Sequence, residues 1–222
     1  LSLKLAKPVE IKMRVSAEYE DGIEILTKGK VDFSRLGPAS YITAKEENPD
    51  LELLAMESKK GSRIFNGIIA IRNDSGVKSL EDLKGTSFAF GDPLSTIGRY
   101  LSQSELLKAG LKGTDFSKFE YLGRHDTVGM AVVAGEYTAG ALKESTFDDL
   151  VEDGSPLKAL KKFNNVTKPW VARSSLDRET FDALRTSLLE LVGSSISKDG
   201  FLPASDADYD IVREAMKLSQ SF

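Results

Sequence analysis

Residues 87–96 read Ser87-Phe88-Ala89-Phe90-Gly91-Asp92-Pro93-Leu94-Ser95-Thr96, a short apolar strand ending in a small, hydroxyl-rich junction, and a helical pattern over 95–109 follows before Gly110. The same unit returns twice. Residues 118–122 lead through Gly123-Arg124-His125-Asp126-Thr127 into a helical pattern over 126–134 closed by Gly135. Residues 138–142 lead through Lys143-Glu144-Ser145-Thr146 into one over 146–151 before Gly154. Strands that alternate with helices predict a mostly parallel sheet with helices on both faces. In such sheets ligands sit beyond the carboxyl ends of the strands, where helix N-termini converge. The fold class is α/β, and the strand-to-helix junctions are the places to look for chemistry.

The flanks extend this rhythm. Residues 9–15 alternate as a strand, 19–28 are helical, and 30–36 form a second strand running into Gly37-Pro38-Ala39-Ser40-Tyr41 and another helix. Residues 51–56 and the strongly apolar 65–71 read as strands, and 79–84 as a short helix opened by a Ser79 cap with Asp82 three residues on. Beyond the repeats, 166–172 is expected as a strand, 177–191 as a long amphipathic helix and 208–218 as a final helix. The opening Leu1-Ser2-Leu3-Lys4-Leu5-Ala6-Lys7-Pro8 has the pattern of a helix stopped by proline, so residues belonging upstream are expected to be missing.

With 222 residues, 41% hydrophobic and 29% charged, the chain can bury one generous core or two modest ones. A formal charge of −4 argues against coverage of nucleic acid or an anionic membrane by bulk electrostatics, so an anionic ligand needs a local site. The absence of cysteine excludes disulfides, thiolate metal sites and cysteine nucleophiles. No apolar run approaches the roughly 20 residues of a membrane helix. Glycine-rich phosphate loops and a Gly-x-Ser-x-Gly elbow are missing, and one histidine cannot build a histidine-rich metal site. Asp206-Ala207-Asp208-Tyr209-Asp210 imitates the start of a calcium loop, but Ile211 and Lys217 stand where Gly and Glu are needed. Asn165-Val166-Thr167 is a formal glycosylation sequon in a crossing segment. No cofactor or metal is expected.

Each junction offers backbone N–H groups with hydroxyl or imidazole donors beside them, which is the equipment for an oxyanion. Plain N-capping explains any single junction. Several junctions at one sheet end make a different case, because charge-assisted hydrogen bonds contribute roughly 1.5 to 3 kcal/mol each and three or four reach micromolar affinity. His125, the only histidine, stands at a helix start, where an anion would favour its charged form; a structural hydrogen bond is the alternative. Trp170, the only tryptophan, fits core or ligand equally.

Taken together these junctions resemble the phosphate/phosphonate (phosphite)-binding proteins of ABC importers, in the type II periplasmic binding protein family. The likeness is carried in order by residues 31–41 (Val31-Asp32-Phe33-Ser34-Arg35-Leu36-Gly37-Pro38-Ala39-Ser40-Tyr41), Ser79-Leu80-Glu81-Asp82-Leu83-Lys84-Gly85, and residues 88–96. It continues through Gly123-Arg124-His125-Asp126, residues 143–147, Pro169-Trp170-Val171 and residues 201–209. The resemblance implies a bilobal fold with a hinge and two mixed, mostly parallel sheets. One lobe would hold 1–71 plus 165–222, short of its N-terminal strand, and the other 72–164.

By resemblance, Ser95, Thr96, His125 and Tyr41 take phosphoryl oxygens, with Ser40 and Asp126 at the same junctions. Glu144 would meet an aminoalkyl tail or a protonated ligand oxygen. Ile97 replaces a third hydroxyl, Phe65 a tyrosine, and Lys143 a neutral amide, while Lys168 lies on the returning strand. The implied function is extracytoplasmic capture of a phosphonate-, phosphite- or phosphate-type oxyanion for an ABC permease by hinge closure, with no enzymatic step and no nucleic-acid partner. The membrane would be reached only through an anchor or a partner outside this chain. The alternatives are a sensing domain of a larger signalling protein and, less favoured, a transferase with His125, Asp126 and Glu144 as its acid/base set.

Overall fold

The computed structural model describes residues 1–2, 4–193 and 198–222 of the chain. In chain order its first elements are α1 (Tyr19–Thr27), β1 (Phe33–Arg35), α2 (Pro38–Glu47), β2 (Glu52–Glu57), β3 (Ile64–Arg72), β4 (Ser87–Phe90), α3 (Ser102–Lys108) and β5 (Lys118–Tyr121). There follow α4 (His125–Val133), β6 (Ala139–Lys143), α5 (Glu144–Glu152), β7 (Leu157–Val166), β8 (Pro169–Ala172), α6 (Arg178–Glu190), β9 (Phe201–Leu202) and α7 (Asp210–Ser219). Two compact units result: Leu1–Ile64 with Val166–Asp210, and Phe65–Asn165 with Ile211–Phe222.

The first unit holds a four-stranded sheet in the order β1-β8-β2-β9. β1 and β2 run the same way, as a strand-helix-strand crossover through α2 requires. β8 enters between them in the opposite sense, so each neighbouring ladder is antiparallel, with Ser34 opposite Val171 and Met56 opposite Pro169. The expected mostly parallel character therefore fails for this sheet: the returning strand separates the two strands that run together. Leu54, Ala55, Ala172 and Phe201 meet Phe181, Leu184 and Leu188 of α6 in its core. That helix starts where Asp177 accepts the Thr180 N–H at 2.9 Å.

Two expectations at the N-terminal end are corrected. Residues 9–15 form no ladder, and Ile11, Met13 and Val15 are 61%, 88% and 81% exposed. Apolar alternation makes a strand only where a partner backbone and a buried face are supplied. Among the described opening residues there is turn rather than helix, with the N–H groups of Lys4 and Leu5 both donating to the Leu1 C=O at 3.0 Å and Lys7 N–H to the Ser2 C=O at 3.3 Å; Leu3 lies outside the described residues.

The second unit holds a five-stranded sheet in the order β5-β4-β6-β3-β7. β4 is parallel to β5 and to β6, whereas β3 is antiparallel to β6, with Gly67 opposite Lys143 and Ile71 opposite Ala139. One face buries Ile69, Phe88, Phe90, Ile97 and Phe163, the other Ile68, Ala70, Ala89, Val128 and Leu142. The near-continuous apolar runs of β3, β4 and β6 follow from burial on both faces.

β3 belongs to this sheet, so the boundary expected near residue 71 falls at Ile64/Phe65. Residues 211–222 also belong here: Ala215 enters the core, and the Phe222 ring lies 5.5 Å from that of Phe90 and 5.7 Å from that of Phe119. The strand expected over 166–172 divides at Thr167-Lys168, because β7 ends in one sheet as β8 begins in the other. The helix expected over 79–84 shrinks to a 3-10 turn, Glu81–Leu83, with no side-chain cap bond; the Asp82 carboxylate accepts from the N–H groups of Lys78 and Ser79.

Candidate functional site

Because β4, β5 and β6 are parallel, their carboxyl ends share one edge of the second sheet, and antiparallel β3 begins at that same edge. Topology therefore gathers Ser95, Thr96, His125, Asp126, Glu144 and Phe65 along it. The junction after β4 is shaped by two glycines. Gly91 donates its N–H to the Gly98 carbonyl at 2.8 Å, and a Cβ on Gly98 would stand 2.7 Å from the Gly91 Cα. That close approach admits a π-helix, Thr96–Leu101, before α3. Ser95 is its N-cap, accepting the Gly98 N–H at 3.0 Å, and both Ser95 and Thr96 are buried. Asp92 accepts the Leu94 N–H at 2.7 Å and turns the chain into this start.

After β5, Gly123 takes a left-handed φ of 76°, and His125 becomes the first residue of α4, whose N-cap Arg124 supplies no side-chain cap bond. Arg124 instead grips Asp126, Nε to Oδ1 at 3.0 Å and Nη2 to Oδ2 at 2.9 Å. The guanidinium holds the exposed Asp126 carboxyl below the usual carboxylate range. After β6, Glu144 opens α5, and its N-cap Lys143 likewise gives no side-chain cap bond. Glu144 accepts from the Asn66 amide at 2.8 Å and pairs with Lys162 of β7. Phe65 and Ile97, where the resemblance led one to look for lost donors, both pack on the apolar core.

In the first unit, Ser40 and Tyr41 occupy the first turn of α2, where Gly37 is the N-cap and Pro38 follows it. Ser40 is 3% exposed and its hydroxyl has no hydrogen-bond partner among the described residues. The Tyr41 hydroxyl donates to Asp206 at 2.6 Å, and its ring lies 4.9 Å from that of Tyr209. Burial pushes the Tyr209 phenol far above its ordinary range. Asp208 accepts from Ser205 N–H at 2.7 Å and from Arg63 at 3.2 Å. The false calcium loop is thus a local brace, and no metal-holding cluster occurs among the described residues. Trp170 stacks on Phe33 at 5.8 Å and meets Phe201 edge-on at 5.4 Å, a packing role.

Residues 1–209 match the family model for the periplasmic phosphonate substrate-binding protein of ABC transporters. The chain belongs to this family. It is similar to the phosphate-import protein PhnD of Mycolicibacterium smegmatis, 23% identical over 240 residues that cover 93% of this chain and 74% of that protein. The probable ABC transporter phosphite binding protein PhnD1 of Prochlorococcus marinus is 25% identical over 175 residues, 76% of this chain and 57% of that one. The solved structure of PhnD1 from that organism with methylphosphonate superposes with a TM-score of 0.86 at 21% identity, covering 100% of this chain and 89% of that one. A binding protein component of an ABC phosphonate transporter from Pseudomonas aeruginosa gives 0.81 at 19%, covering 99% and 78%. These superpositions show the α/β fold of type II periplasmic binding proteins. The family's members are periplasmic substrate-binding components, so the chain is placed outside the cytoplasm with a small ligand and a membrane permease as partners.

Within the family frame, three neighbours of the candidate residues were invisible to sequence reading. Asn66 and Lys162 reach Glu144 only through the register of β6, β3 and β7, which no local pattern encodes. Arg124 sits two residues from Asp126, a spacing that signals nothing without the turn at Gly123. A depression of about 400 Å³ on the second unit, lined by Lys161, Ile211, Glu214 and Leu218 among others, contains none of the candidate residues.

Proposed function

We propose that this chain captures a small phosphorus oxyanion (phosphate, phosphite or an alkylphosphonate) for import, and that it binds its ligand without transforming it. The observation that carries the reading is the meeting of three helix starts, at Thr96, His125 and Glu144, along the carboxyl edge of the second sheet. Helix N-termini favour anions by their N–H groups and dipole, and the buried Ser95 and Thr96 exclude water around those donors.

The named ligands of the relatives, phosphate and phosphite for two proteins and methylphosphonate in a solved complex, agree in chemical class. Thr96, Ser95 and His125 are assigned to the phosphoryl oxygens. Asp126, paired with Arg124, and Phe65, packed on the core, are assigned to shaping the edge rather than touching the ligand. The acid/base set of His125, Asp126 and Glu144 loses support, since both carboxylates are held in ion pairs. The membrane is reached through the permease or a lipid anchor.

A thermal-shift screen against phosphate, phosphite, methylphosphonate and sulfate tests the reading. A ligand at a hundred times its Kd adds roughly 2.7 kcal/mol to stability, so at least one phosphorus oxyanion should raise Tm by several degrees. A flat panel would sink the proposal.

A further inference from the structure

We propose that Lys162 is a specificity-determining residue: by occupying Glu144 it keeps the site closed to phosphonates that carry an ammonium tail and leaves it to oxyanions without one. This rests on the oxyanion reading above and narrows its ligand class. Three carboxylates stand at the strand-end edge of the second unit. Asp92 accepts the Leu94 N–H at 2.7 Å, Asp126 is held by Arg124 at 2.9 Å, and Glu144 has one oxygen on the Asn66 amide at 2.8 Å and the other on Lys162. An ammonium group arriving on a ligand needs a carboxylate, and Glu144 is the only one of the three that opens a helix directly on the strand end.

The geometry shows Glu144 already supplied with a cation and an amide donor. Its neighbour Lys143 makes no ion pair among the described residues, so Lys143, Glu144 and Lys162 together carry one net positive charge. Such a group attracts a dianion and repels a cationic tail. Lys162 projects from β7 and its side chain is 56% exposed, so the pair is screened and replaceable without disturbing the core. Asn66 on β3 fixes the carboxylate plane, which makes Glu144 a ready ammonium acceptor once Lys162 is withdrawn.

The test is calorimetric titration of phosphate, propylphosphonate and its isostere 2-aminoethylphosphonate into the wild-type chain, Lys162→Gln and Lys162→Arg. The wild type should favour propylphosphonate over the amine. Lys162→Gln should shift that ratio toward the amine by about tenfold, the low end for a charge-assisted bond at a part-exposed site. Lys162→Arg should keep the wild-type ratio. If the wild type takes phosphate but neither organic ligand, gain of 2-aminoethylphosphonate binding by Lys162→Gln becomes the readout. A wild type that binds the amine as tightly as its isostere, or a Lys162→Gln chain with an unchanged ratio or no such gain, overturns the proposal while phosphate binding leaves the oxyanion reading standing. No binding of any of the three overturns both.

Discussion

Ser40 and Tyr41 are adjacent in sequence and both buried, yet their hydroxyls face opposite fates. The Tyr41 hydroxyl is committed to Asp206, whereas the Ser40 hydroxyl has no partner among the described residues. Their substitutions should therefore differ in their effect on stability. Tyr41→Phe should lower unfolding free energy in urea by about 1 kcal/mol, the net worth of one hydrogen bond. Ser40→Ala should leave stability unchanged or slightly raised, since it removes an orphaned polar group. Equal loss of stability in the two variants would contradict this division. Phe65 and Ile97 make the same point from the other side: their departure from the family pattern was legible in the sequence, but their packing on the second unit's core was not.

At the scale of elements, the junction after β4 depends on the contact of Gly91 with Gly98. Gly98→Ala pushes a Cβ against backbone rather than against a flexible side chain, so it should cost about 1 to 3 kcal/mol and weaken ligand binding with it, because Ser95 and Thr96 are aimed by that turn. Retained stability with normal affinity would refute the close approach. Asp177 offers a pH test: the N–H of Thr180 holds its carboxyl below the usual range. A lowered folded pKa gives stability that is present above the unfolded value near 4 and lost as pH falls through the folded one. Asp177→Ala should thus lower Tm at neutral pH, with the gap closing in acid; a constant gap would exclude ionisation as its source.

Elements were legible where burial is two-sided or a cap is strong. The runs of β3, β4 and β6 and the α6 start at Asp177 appear in the sequence because local composition and tertiary environment agree there. Residues 9–15 were misread as a strand and β7 has no reading in the sequence, for opposite reasons. The first alternates without a partner, and the second, Leu157-Lys158-Ala159-Leu160-Lys161-Lys162-Phe163-Asn164-Asn165-Val166, is a polar edge strand whose pairing comes from β3.

For the whole molecule, alternation of strands and helices decided the class, and the order of junctions decided the family, but neither fixed the unit boundaries. Those follow from where long-range pairing and packing take β3 and Phe222. The candidate residues of the second unit were all named from sequence, while the ion pairs that set their charge had to wait for register. The central claim is that these strand-end junctions bind a phosphorus oxyanion, and calorimetric titration of phosphate, phosphite and methylphosphonate into the wild-type chain and Thr96→Val, with sulfate as control, tests it most directly. Saturable one-site binding of at least one phosphorus oxyanion, weaker for sulfate and about tenfold weaker in Thr96→Val, is the predicted result; no saturable heat, or equal affinity in the variant, would contradict it.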